Sequence, residues 1–130
     1  MNQINKKGKV RLLIVDDDSM VLFLYQEYFE ELDFVVTTCR NSKDALALFK
    51  ENPDQFDAVL TDYSMPEMTG SHLSQEILGI RNNLPIILVT GYDNLFSEEE
   101  AKNIGISYYL QKPFEFDRLE KIVMDCLKPA

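Results

Sequence analysis

Five short apolar runs, each followed by an amphipathic stretch, constrain this chain more than any other feature. Residues 12–15, 58–60 and 86–89 are continuously apolar, the pattern of strands covered on both faces. Residues 34–39 and 108–111 are rich in β-branched or aromatic side chains and read as two further strands. Helical stripes fall between them. Val21, Leu24, Tyr28 and Leu32 share one face, Ala45, Leu48 and Phe49 a second, and Leu73, Ile77 and Ile80 a third. Ser97 and Glu100 have capping-box spacing, and the helix they open ends at Gly105. The cleanest stripe is Leu119, Ile122, Val123, Cys126 and Leu127. Strands alternating with helices imply parallel pairing through right-handed crossovers, hence an α/β fold: a doubly wound, five-stranded parallel sheet in a three-layer sandwich.

A chain of 130 residues predicts one domain. We take residues 10–128 as that domain and residues 1–9 as an N-terminal extension. Thirteen basic against twenty-two acidic residues give a net charge of −9. That balance argues against direct nucleic-acid binding, which needs a basic surface. No apolar run approaches the roughly 20 residues of a membrane span, and the start lacks the apolar core of a signal peptide. Cys39 and Cys126 are too few for a disulfide framework and lack metal-site spacing, so both read as small buried hydrophobes in a reducing cytoplasm.

In an open α/β sheet, ligands bind beyond the carboxyl ends of the strands. The residues just past each strand are therefore the informative ones. Asp16, Asp17 and Asp18 come after the first; Thr61, Asp62 and the loop to Gly70 after the third; Thr90 and Gly91 after the fourth; Lys112 and Pro113 after the fifth. Each alone has an ordinary structural explanation: Asp18 or Ser19 caps the first helix, and a strand-end lysine is usually solvated. Their convergence on one sheet edge is what singles them out. Asp16, Asp17 and Asp62 carry −3 against +1 from Lys112, a cluster whose repulsion raises a pKa unless a cation is present. An all-oxygen donor set suits Mg²⁺, with Mn²⁺ or Ca²⁺ as substitutes, rather than Zn²⁺. A carboxylate beside Mg²⁺, with a lysine and a hydroxyl for oxyanions, is suited to accept a phosphoryl group.

Four segments carry a family resemblance: LLIVDD at 12–17, TDYSMPEMTG at 61–70, ILVTG at 87–91 and YYLQKPF at 108–114. In order and in spacing they resemble the receiver domains of two-component response regulators, the CheY-like members of the flavodoxin-like fold. The resemblance implies strand order 2-1-3-4-5. It implies Asp62 as phosphoacceptor, Asp16, Asp17, Asp62 and the Ser64 backbone carbonyl around Mg²⁺, and Lys112 and Thr90 on the phosphoryl group. Thr90 and Tyr109 would be the switch pair, the Lys112–Pro113 bond would be cis, and Ser64 and Tyr92 would tune the phosphoryl lifetime. Implied partners are a histidine kinase or histidine phosphotransfer protein as donor and a downstream protein or fused output domain as target. Thr69 and Tyr92 depart from the commonest family residues at their positions.

Two other readings stay open at this level. A Mg²⁺-dependent phosphatase with an aspartate nucleophile would want an acid two residues later, where this chain has Ser64. A receiver-like binding module that is not phosphorylated would be expected to lack an acid or the lysine. A flavin carrier fits poorly, since three aspartates occupy its phosphate loop. His72 at a helix start is read as an idle surface residue, and Met65 and Met68 as loop packing.

Overall fold

The computed structural model describes residues 8–91 and 96–128. Five strands, β1 (Arg11–Val15), β2 (Val35–Cys39), β3 (Ala58–Asp62), β4 (Ile86–Thr90) and β5 (Tyr108–Gln111), alternate with five helices. These are α1 (Ser19–Glu31), α2 (Ser42–Glu51), α3 (Gly70–Ile80), α4 (Glu98–Ile104) and α5 (Phe116–Cys126). All strand pairs are parallel, in the order β2-β1-β3-β4-β5. The expected architecture and strand order both hold.

Alternation along each strand divides the core in two. Leu13 and Val15 of β1, Val59 of β3, and Ile86 and Leu88 of β4 pack with α2, α3 and α4. Leu12 and Ile14, Ala58 and Leu60, and Ile87 and Val89 pack with α1 and α5. The three central strands are therefore buried on both sides, which is why they read as unbroken apolar runs. Polar residues continue β3 through Thr61 and Asp62, and β4 through Thr90. The apolar pattern ends both strands sooner, but the parallel ladder uses backbone groups and runs on wherever it can pair.

Most helix ends follow from local chemistry. Asp18 caps α1, accepting from the N–H groups of Met20 (3.0 Å) and Val21 (3.3 Å). Thr69 caps α3, so its departure from the common family residue keeps the capping function. Ser97 and Glu100 form the expected capping box, and Gly105 ends α4 at φ 108°. α1 closes with Asp33 at φ 71°, its N–H on the Glu30 carbonyl and the Phe34 N–H on the Phe29 carbonyl, each at 3.0 Å. The Phe29 and Phe34 rings meet at 5.4 Å, the apolar contact that accompanies this reversal.

The stripe expected on α1 holds only in part: Val21 and Tyr28 pack partly buried against the core, but the stripe is not the most buried face. The buried residues are Leu22, Tyr25 and Phe29, while Leu24 is 47% and Leu32 37% exposed. The first two-thirds of this helix are apolar nearly all round, so periodicity could not choose a face; packing against the sheet did. Ile80 likewise lies exposed at the end of α3. Cys39 and Cys126 are free and half-buried rather than buried. Met65 is buried and Met68 packs against the same core, as expected of loop packing.

Candidate functional site

Strand order brings the polar ends together. Val15 pairs with Thr61 across β1 and β3, so Asp16 and Asp62 emerge side by side on the face of Ile14 and Leu60. Carboxylate oxygens of Asp16, Asp17 and Asp62 lie within 4.8 Å of one another, the metal-competent acidic group found among the described residues. Asp16 and Asp62 are 3% and 7% exposed, whereas Asp17 is open to solvent. On the far side, Thr90 pairs with Gln111, and the Lys112 N–H donates to the Thr90 carbonyl at 2.8 Å. This turns the Lys112 ammonium back over the cluster, 3.0 Å from Asp62 Oδ1. The Lys112–Pro113 peptide bond is cis.

Burial dominates the electrostatics. It pushes the Asp16 carboxyl up to about 6, with the Asp62 charge adding to the rise and the Asp18 N–H, 2.9 Å from Oδ1, opposing it. Asp62 is also raised by burial, against the opposing Lys112 ammonium and Ser64 N–H. The expected rise is therefore present, but desolvation leads and like-charge repulsion is secondary. A cation answers both, since it neutralises charge and replaces lost hydration. The all-oxygen donors and surplus negative charge fit a hard divalent ion of the Mg²⁺ kind.

The Thr90 hydroxyl has a different character. It is fully buried and finds no hydrogen-bond partner among the described residues, which leaves an acceptor-seeking O–H at the carboxyl end of β4. Tyr109, on the same side of the sheet, donates its hydroxyl to the Phe96 carbonyl at 2.6 Å. Ser64 is exposed in the loop after β3. Tyr92 lies outside the described residues. His72 stands exposed in the first turn of α3, 3.5 Å from Glu76, and does not join the cluster.

Three residues near the site escape sequence reasoning. Tyr25 is buried beneath the cluster, its phenol raised by burial and by the charges of Asp16 and Asp62. Its ring stacks on Phe116 at 5.4 Å, joining α1 to the start of α5. Ser42 is buried and donates to the Met68 carbonyl at 2.9 Å, tying α2 to the loop after Asp62. Phe96 stacks on Tyr63 at 5.2 Å. Only the four aromatics on α1 (Phe23, Tyr25, Tyr28 and Phe29) hint at the first of these; a lone serine and a loop phenylalanine give no such signal.

Known proteins share this fold. Residues 12–124 match the response regulator receiver domain family. The two-component response regulator ARR14 of Arabidopsis thaliana is 34% identical over 113 residues, 87% of this chain and 30% of that protein. The transcriptional regulatory protein ZraR of Salmonella typhimurium is 33% identical over 121 residues, 93% of this chain and 27% of that protein. The chain thus spans less than a third of these curated relatives. Among solved structures, a receiver domain protein from Clostridium thermocellum superposes with a TM-score of 0.86 at 29% identity, covering 91% of this chain and 94% of that one. A CheY-like receiver protein from Methanospirillum hungatei gives 0.80 at 32% identity, with 91% and 94% covered. With four motifs, the strand order and the match over most of its length in agreement, the chain belongs to the response regulator receiver domain family of two-component signal transduction.

Proposed function

We propose that Asp62 accepts a phosphoryl group from a phosphohistidine of a histidine kinase or phosphotransfer protein. The observation that carries this reading is the Lys112 ammonium 3.0 Å from an Asp62 carboxylate that also lies within 4.8 Å of two further aspartates. One Asp62 oxygen attacks phosphorus in line with the donor nitrogen. The phosphorus–nitrogen bond breaks, the imidazole keeps the electron pair and takes a proton from solvent, and an aspartyl phosphate forms. Lys112 holds one phosphoryl oxygen as its ion pair with the free carboxylate is replaced. Thr90 donates its hydroxyl, which has no partner among the described residues, to another. Asp16, Asp17, Asp62 and the Ser64 backbone carbonyl would hold Mg²⁺, with Mn²⁺ or Ca²⁺ able to substitute. When bound, the ion offsets the charge gathered on carboxylates and phosphoryl oxygens.

The chain is a signalling domain in this reading, with slow self-catalysed gain and loss of phosphate rather than turnover of a substrate. Residues 10–128 form the receiver unit, working in the cytoplasm. Drawing Thr90 toward the phosphoryl group opens space for the Tyr109 ring, and the resulting change at α4, β5 and α5 is what a downstream protein or output domain reads. No described helix is long and apolar enough to cross a membrane. Acetyl phosphate or phosphoramidate with Mg²⁺ tests the reading: intact mass rises by one phosphoryl group in the wild type and not in Asp62→Asn. Label that persists in Asp62→Asn overturns it.

A further inference from the structure

Asp62 and Tyr63 form one stiff unit of backbone. The Tyr63 N–H donates to the Val89 carbonyl at 2.8 Å, and the Gly70 N–H donates to the Tyr63 carbonyl at 2.9 Å. β4 therefore grips this unit on one side and the start of α3 on the other. The Asp62 carboxylate emerges toward α1 and α5, while the next side chain, Tyr63, emerges toward α3 and α4. There its ring stacks on Phe96, with centroids 5.2 Å apart and planes 18° from parallel. The Phe96 carbonyl in turn accepts the Tyr109 hydroxyl at 2.6 Å. Tyr109 lines the groove between α4 and α5, together with Lys102, Ile106, Arg118 and Ile122.

We infer that the stacked pair Tyr63–Phe96 couples the state of Asp62 to the orientation of Tyr109, by a route separate from the Thr90 hydroxyl. The inference deepens the phosphoacceptor reading and rests on it. A unit clamped between β4 and α3 has little freedom to absorb a new group on Asp62 locally, so displacement passes to the Tyr63 ring. Two near-parallel rings in van der Waals contact move together, because separating them opens a gap that close packing penalises. The hydrogen bond from Tyr109 makes the Phe96 backbone the point where this movement reaches β5. Coupling between sites is reciprocal, so fixing Tyr109 differently must alter how tightly the acidic site holds its ligand.

A double-mutant cycle reads this directly. The probe is beryllium fluoride, a phosphoryl mimic, with Mg²⁺ and the full chain, and the readout is its Kd by calorimetry. Tyr109→Phe removes only the hydroxyl and is expected to change that Kd about fivefold or more, the lower end of ordinary allosteric coupling. In a Tyr63→Leu background, and separately in Phe96→Leu, the same substitution is expected to change it less than about twofold. Thermal unfolding of each variant establishes that it is folded, and Phe96→Leu serves if Tyr63→Leu is not. An equal effect of Tyr109→Phe in wild-type and Leu backgrounds overturns the route, as does no effect in the wild type. Failure of the wild type to bind the mimic overturns the phosphoacceptor reading, and the coupling with it.

Discussion

Gly70 approaches Asp62 so closely that a Cβ on residue 70 would lie 2.1 Å from the Asp62 carbonyl oxygen and 3.0 Å from Leu88 Cδ1. The first residue of α3 therefore sets the backbone that carries the central carboxylate. Gly70→Ala must push α3 away from β3 or displace Asp62. The expected loss is about 2–3 kcal/mol of stability, as for other overpacked sites, together with impaired Mg²⁺ binding. Gly79, near the other end of the same helix, has nothing within 4 Å of its would-be Cβ. Gly79→Ala should stabilise by about 0.5–1 kcal/mol through helix propensity alone. Urea unfolding of both variants checks the pair of opposite signs.

The raised Asp16 carboxyl gives the metal-free protein a distinctive pH dependence. Its folded-state value of about 6 exceeds the ordinary 3.8, so the folded form holds this proton more tightly than the unfolded chain. Its contribution to stability therefore falls as pH rises from about 4 to 6 and stays lost above that window. A shift of this size corresponds to about 3 kcal/mol. Asp16→Asn should flatten the slope across that window and stabilise the metal-free protein near pH 7. Mg²⁺ should stabilise the wild type more at pH 7 than at pH 5, and Asp16→Asn should respond weakly at both. Melting temperatures at the two pH values, with and without Mg²⁺, decide the matter.

Glu67 holds φ at 72° in the loop after β3, with the Met68 N–H turned back on the Pro66 carbonyl at 2.8 Å. This tight three-residue turn is strained for any side chain with a Cβ. The Lys43–Glu67 ion pair at 3.2 Å has both partners about two-thirds exposed, so it offsets little of the strain. Glu67→Gly is expected to stabilise by about 1 kcal/mol in denaturant unfolding. A loss of stability would mean that the ion pair outweighs the backbone.

If Asp62 is phosphorylated as proposed, Ser64 is expected to influence how long the phosphoryl group survives. It is exposed beside Asp62, and its side chain offers neither an amide nor a charge to fix a water in line with phosphorus. Ser64→Asn supplies an amide there and should speed loss of phosphate by up to about a hundredfold, the scale set by a well-placed positioning contact. Following dephosphorylation of the two proteins side by side checks it. Equal rates would assign the lifetime to other groups.

Much of this domain is legible in the order of its residues. α5 can be read because Leu119, Ile122 and Val123 stand among charged neighbours, and α4 because a capping box and a terminal glycine bracket it. The β1, β3 and β4 runs announce burial on two sides. Asp16, Asp17, Asp62, Thr90 and Lys112 can each be located as strand-end residues. Adjacency is another matter. Pattern and spacing are local, and that β1 lies beside β3 enters only through family resemblance. That adjacency places Asp16 next to Asp62.

The choice of Leu22, Tyr25 and Phe29 as the inner face of α1 belongs to tertiary packing, since most sides of its first three turns are apolar. So do the burial of the Thr90 hydroxyl without a partner among the described residues and the 2.1 Å approach at Gly70. The reason is common to all three: periodicity reports which side chains can leave water, but the partner each one meets is set by elements distant in sequence.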